Sequence, residues 1–233
     1  MALRRVGREK FSSGFGPKKR RLPEARKMNV DRWLRLMGAF GFDNNEGTFR
    51  SLISAYSEKH RFYHTLEHVS DCLRHLDTCS SIIDEKREVE LAIWFHDSIY
   101  NPLSGKNERR SADWAASFLS TNSATDDLKS KIRRLIMATK HDAPPHTKDE
   151  SILVDIDLAI LGTDAATYNM FEKAVRQEYQ IIPIFLYRKK RAEVLSQFIE
   201  RPLIYQNEPF ISEREQQARV NLANAISNLT GSA

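Results

Sequence analysis

Apolar residues recur every three or four positions along most of this chain, and period-two alternation bounded by hairpin turns is absent. Val30, Trp33, Leu34, Met37 and Phe40 form a first stripe, with Asp31 near its start and Gly41 as a stop signal. Phe49, Leu52, Ile53 and Tyr56 form a second. Val69, Cys72, Leu73 and Leu76 extend a helix predicted to begin near His64, and Val89, Ala92, Ile93 and Phe95 lead into His96-Asp97. Further helices are predicted at about 108–120, 126–140, 149–162, 165–181, 183–200 and 211–228. Only Pro144-Pro145 and the segment Asn101 to Lys106 are obligatory breaks. No repeat of fixed period is present. The pattern predicts an all-α single domain but leaves the packing order of the helices open.

Composition changes this picture little. At 233 residues, 41% hydrophobic and 29% charged, the chain suits one soluble globular domain with a sizeable core. Its longest apolar run, Ile181 to Tyr187, is too short to span a bilayer. Cys72 and Cys79, at i and i+7 of one helix, read as small core groups rather than a disulfide framework, which fits a reducing, cytoplasmic compartment.

Charge changes it more. Residues 1–27 hold ten Lys and Arg against Glu9 and Glu24, a net +8 that leaves −3 for the rest of a chain whose formal charge is +5. The body is mildly acidic, and the basicity belongs to an N-terminal extension that reads as disordered. Pro17-Lys18-Lys19-Arg20-Arg21 is the one segment suited to nucleic acid or to nuclear or organellar targeting. The folded domain is expected over residues 28–233, and the pattern leaves its oligomeric state open.

The candidate chemistry begins at His96-Asp97, an imidazole and a carboxylate at the end of the apolar run from Leu91. Both are good ligands for a divalent metal, and a cation between them would offset the cost of burying them. His64 and His68 lie upstream; Asp155 and Asp157 interrupt an apolar stretch downstream. Helical geometry puts His64 and His68 on one face, about 6 Å apart along the axis, and sets positions 155 and 157 about 200° apart, so one of the two carboxylates faces inward and the other away.

The ordered set resembles the HD superfamily of metal-dependent phosphohydrolases. The likeness runs over about residues 28–210 and is carried by Tyr63-His64-x-x-x-His68, Ala92-Ile93-Trp94-Phe95-His96-Asp97-x-x-Tyr100-x-Pro102, Asn107-Glu108-x-x-Ser111-Ala112 and Asp157-Leu158-Ala159-Ile160-Leu161-Gly162. It implies an HD-type helical bundle whose metal ligands are His68, His96, Asp97 and Asp157, with Asp155 structural. Similar strings in cyclic nucleotide phosphodiesterases imply His64 as general acid; an alternative alignment makes His64 the ligand. The resemblance also implies one or two divalent ions. Carboxylates lean to Mn, Mg or Fe, and imidazoles admit Zn, Co or Ni.

Around this set, Asn107 reads as a helix cap and Glu108 as a dipole-favoured first-turn residue, with a catalytic role for Glu108 implied by the same likeness. Lys140 and His141 end a helix, and with Arg176 and Arg191 they are the candidate phosphate contacts. Glu178 and Tyr179 complete an Arg-x-Glu-Tyr element like the family's. No nucleophile elbow and no phosphate-binding loop is present. The expected function is metal-assisted hydrolysis of a nucleotide or other small phosphate ester. The alternatives are an HD-type di-iron oxygenase and a non-catalytic binding or regulatory protein retaining the fold.

Overall fold

The apolar stripes become ten α-helices: α1 (Leu22–Phe40), α2 (Glu46–Ala55), α3 (Leu66–Thr78), α4 (Lys86–Phe95), α5 (Asn107–Thr121), α6 (Asp126–Ala138), α7 (Lys148–Asp157), α8 (Ala165–Glu178), α9 (Ile184–Ile199) and α10 (Phe210–Thr230). A 3-10 segment, Leu158–Gly162, prolongs α7. The computed structural model describes residues 22–231, and among them there is no β-strand. No helix of the described residues is long and apolar enough to cross a membrane. The expected basic extension lies outside the described residues as far as position 21; residues 22–27 belong to α1, so this helix starts ahead of the boundary expected at Met28.

Short polar side chains set the helix starts. Thr65 accepts a hydrogen bond from the Glu67 amide, Thr125 from Leu128, Thr147 from Glu150, and Asp164 from Ala166 and Thr167. Each cap satisfies amides that the first turn leaves open, worth about 1 kcal/mol apiece.

One helix organises the core. Val89, Leu91, Ala92, Ile93, Trp94 and Phe95 of α4 are all fully buried, and a helix end apolar on every side, as residues 91–95 are, belongs at the centre of a bundle. It packs against α1, α3, α5, α6 and α7. Trp33 of α1 meets Phe49, Trp94 and Phe118 at ring separations of 5.8–5.9 Å, in tilted and edge-on geometries that favour aromatic pairs. His96 caps the C-terminal end of this helix, its amide still bonded to the Ala92 carbonyl at 2.8 Å. The most rigidly packed element of the fold thus delivers the His-Asp pair.

At the other end of the domain, α10 crosses the 3-10 segment at very short range. A Cβ at Gly162 would lie 2.5 Å from Cβ of Arg214 and 2.7 Å from its carbonyl oxygen. Gly162 is the last residue of the Asp157-to-Gly162 motif, and close backbone approach is the physical reason for glycine there. Gly162→Ala should therefore lower stability by about 1–3 kcal/mol, as overpacking does, read as a drop in melting temperature. An unchanged melting temperature would show that α10 is free to move away.

Candidate metal centre

Four side chains from three places in the sequence converge beneath the end of α4. Nε2 of His68, in the first turn of α3, lies 3.2 Å from Nε2 of His96 and 3.0 Å from Oδ1 of Asp157. Oδ2 of Asp97 lies 3.1 Å from His96 Nε2 and 3.8 Å from His68 Nε2, and His96 Nε2 to Asp157 Oδ1 is 3.6 Å. Ligands about 2.1 Å from one ion stand about 3.0 Å apart in an octahedron and about 3.4 Å apart in a tetrahedron. Spacings of 3.0–3.2 Å between most of these donors are compatible with one ion between them, while 3.6 and 3.8 Å lie outside both values.

The hydrogen bonds behind the rings support this. Nδ1 of His96 lies 2.8 Å from the Ile93 carbonyl oxygen, which can only accept. That fixes the proton on Nδ1 and turns the Nε2 lone pair into the cluster, the second-sphere arrangement of a ligating histidine. Two carboxylates then face it. Burial pushes both acids up, yet His96 and His64 bring Asp97 below its ordinary range, and His141, His68 and His96 bring Asp157 well below. The side chains are 2–15% exposed, so water does little to screen this charge. A divalent cation fits the donor set.

Cys72 belongs to the same group. His68, Cys72, His96 and Asp157 form a His/Cys/Asp cluster that can hold a metal ion. The thiol, one turn along α3, sits 3.7 Å and 3.8 Å from the two ring nitrogens of His68. Burial first, and then Asp157 and Asp97, push the thiol well above its usual pKa. Its side chain faces inward as the i, i+7 pattern implied, but its place at the centre was not legible from that pattern.

His64 differs from its expected placement. Thr65 is the cap of α3, so His64 lies in the turn before the helix and does not share a helix face with His68. Their rings are 6.2 Å apart. The turn is fixed by Glu178, whose Oε1 accepts the amides of Phe62, Tyr63 and His64 at 2.8–3.0 Å. Its Oε2 accepts from Nδ1 of His64 at 2.7 Å and from the Tyr100 hydroxyl at 2.8 Å. Tyr100 also stacks on the imidazole, 4.2 Å away with planes 25° apart. Nε2 of His64 has no partner among the described residues, and the side chain is 22% exposed. Burial pulls the His64 pKa down, but Asp97 and then Glu178 outweigh it and leave it raised.

A buried arginine ties this turn to the His-Asp loop. Arg61 donates from Nη1 to the carbonyls of His64 (3.2 Å) and Asp97 (2.6 Å), and from Nη2 to that of Ser98 (3.1 Å). Its Nε pairs with Glu58 at 2.9 Å. Ser111 and Asn107 pin the rest of the loop through the backbone of Ile99 and Asn101. The Asn107 side chain is therefore a loop clasp, not the helix cap that the pattern suggested; α5 has no side-chain cap. Glu108 is half-buried at the rim. Burial and then Asp97 raise its pKa, against Lys140 and His141, which places all three within its electrostatic reach.

The remaining candidates divide. His141 joins the centre, its Nε2 2.9 Å from Asp157 Oδ2. It reaches there from a left-handed backbone (φ 59°), a conformation that costs a non-glycine residue about 1 kcal/mol or more. Lys140 forms an ion pair with Asp142 at the surface. Arg176 does not reach out for phosphate: its nitrogens donate to the Tyr179 and Ile182 carbonyls, and it stacks over Tyr187. Arg191 is likewise engaged, held by both oxygens of Glu172 and lying over Phe171. Asp155 faces away from the centre as one of the pair should. It is fully buried and accepts the Gln206 and Asn207 amides, and burial still pushes its pKa up to about 6.

Comparison with known proteins finds no matching family model, no similar curated protein and no similar solved structure.

The His64–Glu178 pair has a definite pH signature. Burial pushes Glu178 up, but His64 and the amides of Tyr63 and His64 lower it to about 2. Its contribution to stability is present above the ordinary carboxylate pKa and is lost as pH falls through about 2. The His64 contribution is present below about 6.5 and is lost as pH rises through its raised value. Glu178→Gln should melt below wild type by a margin that is largest between these limits and shrinks towards pH 2 and at alkaline pH. A margin independent of pH would mean that the pair is not ionic.

Proposed function

We propose that this protein is a metal-dependent phosphohydrolase of the HD type, acting on a nucleotide or another small phosphate ester. One observation carries the reading: a four-donor centre of His68, His96, Asp97 and Asp157 stands beside an imidazole, His64, that is held by a buried carboxylate and keeps Nε2 free. A divalent ion held by those four residues supplies a Lewis acid that polarises the phosphoryl oxygen and brings water's pKa towards neutrality. The protein supplies the rest.

Glu178 accepts from Nδ1 of His64 and favours the imidazolium, so the Nε2 proton is available for the departing alkoxide. The Tyr100 ring fixes the plane of that imidazole. Arg61 keeps His64 and Asp97 at a set separation by bonding both of their carbonyls, and a general acid works only at a set distance from the scissile bond. Glu108, half-buried, has its pKa raised by burial and then by Asp97, and is the carboxylate we assign as proton acceptor.

A second reading rests on His141. Asp157 presents Oδ1 to His68 and Oδ2 to His141, one oxygen to each of two positions. With His141 added, the donor set would be large enough to hold a second metal ion, as an HD-type di-iron oxygenase would need.

Metal analysis of the purified protein, with assays on phosphate esters and an oxygen electrode, separates these. The first reading expects a divalent ion and phosphate release without oxygen uptake; two irons with oxygen consumption would establish the second. Asp97→Ala should remove most of the metal and nearly all turnover. His64→Ala should keep the metal and cut turnover by about 10²–10⁴-fold, with a smaller loss on p-nitrophenyl phosphate, whose leaving group barely needs a proton. Metal lost at His64→Ala and kept at His68→Ala would reverse the two roles.

A further inference from the structure

Three of the four cationic or imidazole groups expected to meet phosphate have partners within the protein or at its surface, and the fourth, His141, faces the centre. A cation that the sequence did not single out lies next to it. Arg201 follows α9, and its Nη2 donates to the His141 carbonyl at 2.8 Å. Its guanidinium lies 4.5 Å from the centre of the Phe198 ring, whose other neighbour, at 5.8 Å, is the His141 ring. Among the described residues no carboxylate pairs with it, and its Nε and Nη1 have no hydrogen-bond partner. Burial alone pulls its pKa below the ordinary value. A half-buried guanidinium without a counter-charge is an open demand for an anion.

Its position is fixed in advance. Arg219 of α10 donates to the carbonyls of Ile199, Arg201 and Pro202 at 2.9–3.0 Å, and is itself held by Glu215 at 2.8 Å. The backbone of Arg201 is therefore tied down, and its guanidinium is held at the strained His141 turn by one donor while Nε and Nη1 stay without a partner among the described residues.

We propose that Arg201 is the substrate-anion contact of this centre, binding phosphate oxygens of the ligand through the N–H groups that the His141 carbonyl leaves free. The inference rests on the phosphohydrolase reading for the identity of the anion, and its test is a binding measurement rather than turnover. A guanidinium carries a fixed charge and presents its remaining N–H donors in plane, which suits the oxygens of an ionised phosphate.

The experiment uses the full chain loaded with its metal and inorganic phosphate as the probe, by titration calorimetry. Arg201→Gln keeps a donor for the His141 carbonyl and removes the charge; Arg201→Lys keeps the charge. Phosphate affinity should fall about tenfold or more in Arg201→Gln and much less in Arg201→Lys, while metal content and melting temperature stay near wild type in both. Imidazole, a neutral metal ligand, should bind all three alike. Equal phosphate affinity in wild type and Arg201→Gln overturns the proposal. So does a parallel loss of phosphate and imidazole binding, which would make Arg201 only a prop for His141. A protein that binds phosphate through Arg201 but hydrolyses no phosphate ester would refute the phosphohydrolase reading and uphold this contact.

Discussion

Buried donors at coordination distance repel one another unless positive charge lies between them. His96 has its proton fixed on Nδ1 by the Ile93 carbonyl, so its Nε2 lone pair meets His68 Nε2 at 3.2 Å and the Asp97 carboxylate at 3.1 Å. Asp157 adds a second carboxylate 3.0 Å from His68. Without a cation or extra protons this arrangement would cost several kcal/mol, because burial strengthens repulsion as much as attraction. The fold nevertheless holds it from every side, with α4 packed on five helices and Asp157 placed by a helix end whose other acid, Asp155, is anchored to the loop before α10. The fold thus gathers two imidazoles and two carboxylates into one buried group whose charge a divalent cation would balance.

The surroundings show a division of labour. Glu178 and Arg61 form no part of the cluster; they fix the turn that carries His64 and the loop that carries Asp97 through backbone groups. Backbone-directed clamps tolerate little rotation, so the distance between the His64 ring and the His/Asp cluster is set by the chain itself and not by side-chain rotamers. His141 enters from the opposite side through a left-handed turn that Arg201 pins. Strain of this kind persists where several contacts over-determine it, here the Asp157 carboxylate, the Arg201 guanidinium and the Phe198 ring.

Much of this was legible in the sequence, and the gaps have a common cause. Helical periodicity located nearly every element within a few residues, and α6, α7 and α8 start at the side-chain caps of Thr125, Thr147 and Asp164. The opposed directions of Asp155 and Asp157 followed from helical geometry alone. The likeness of the His…His-Asp…Asp string pointed to four residues that the fold brings together. What failed was anything set by long-range contact. His64 was assigned to a helix that Thr65 in fact begins. Glu178, more than 110 positions away from the turn it holds, had no local signal beyond its place in an Arg-x-Glu-Tyr string. Arg176 and Arg191 looked free because the carbonyls and the Glu172 that occupy them are brought in by folding. Arg201 was overlooked for the converse reason: a missing counter-ion is visible only in three dimensions.

X-ray absorption at the metal edge of the loaded protein tests the centre most directly, because it reports which atoms surround the ion. Two imidazoles and two carboxylates should give a shell of nitrogen and oxygen at about 2.0–2.2 Å with the outer scattering of histidine rings, and no sulfur. A sulfur scatterer near about 2.3 Å would put Cys72 in the shell as a thiolate and displace one of the four assigned donors, and a protein that takes up no metal would contradict the centre altogether.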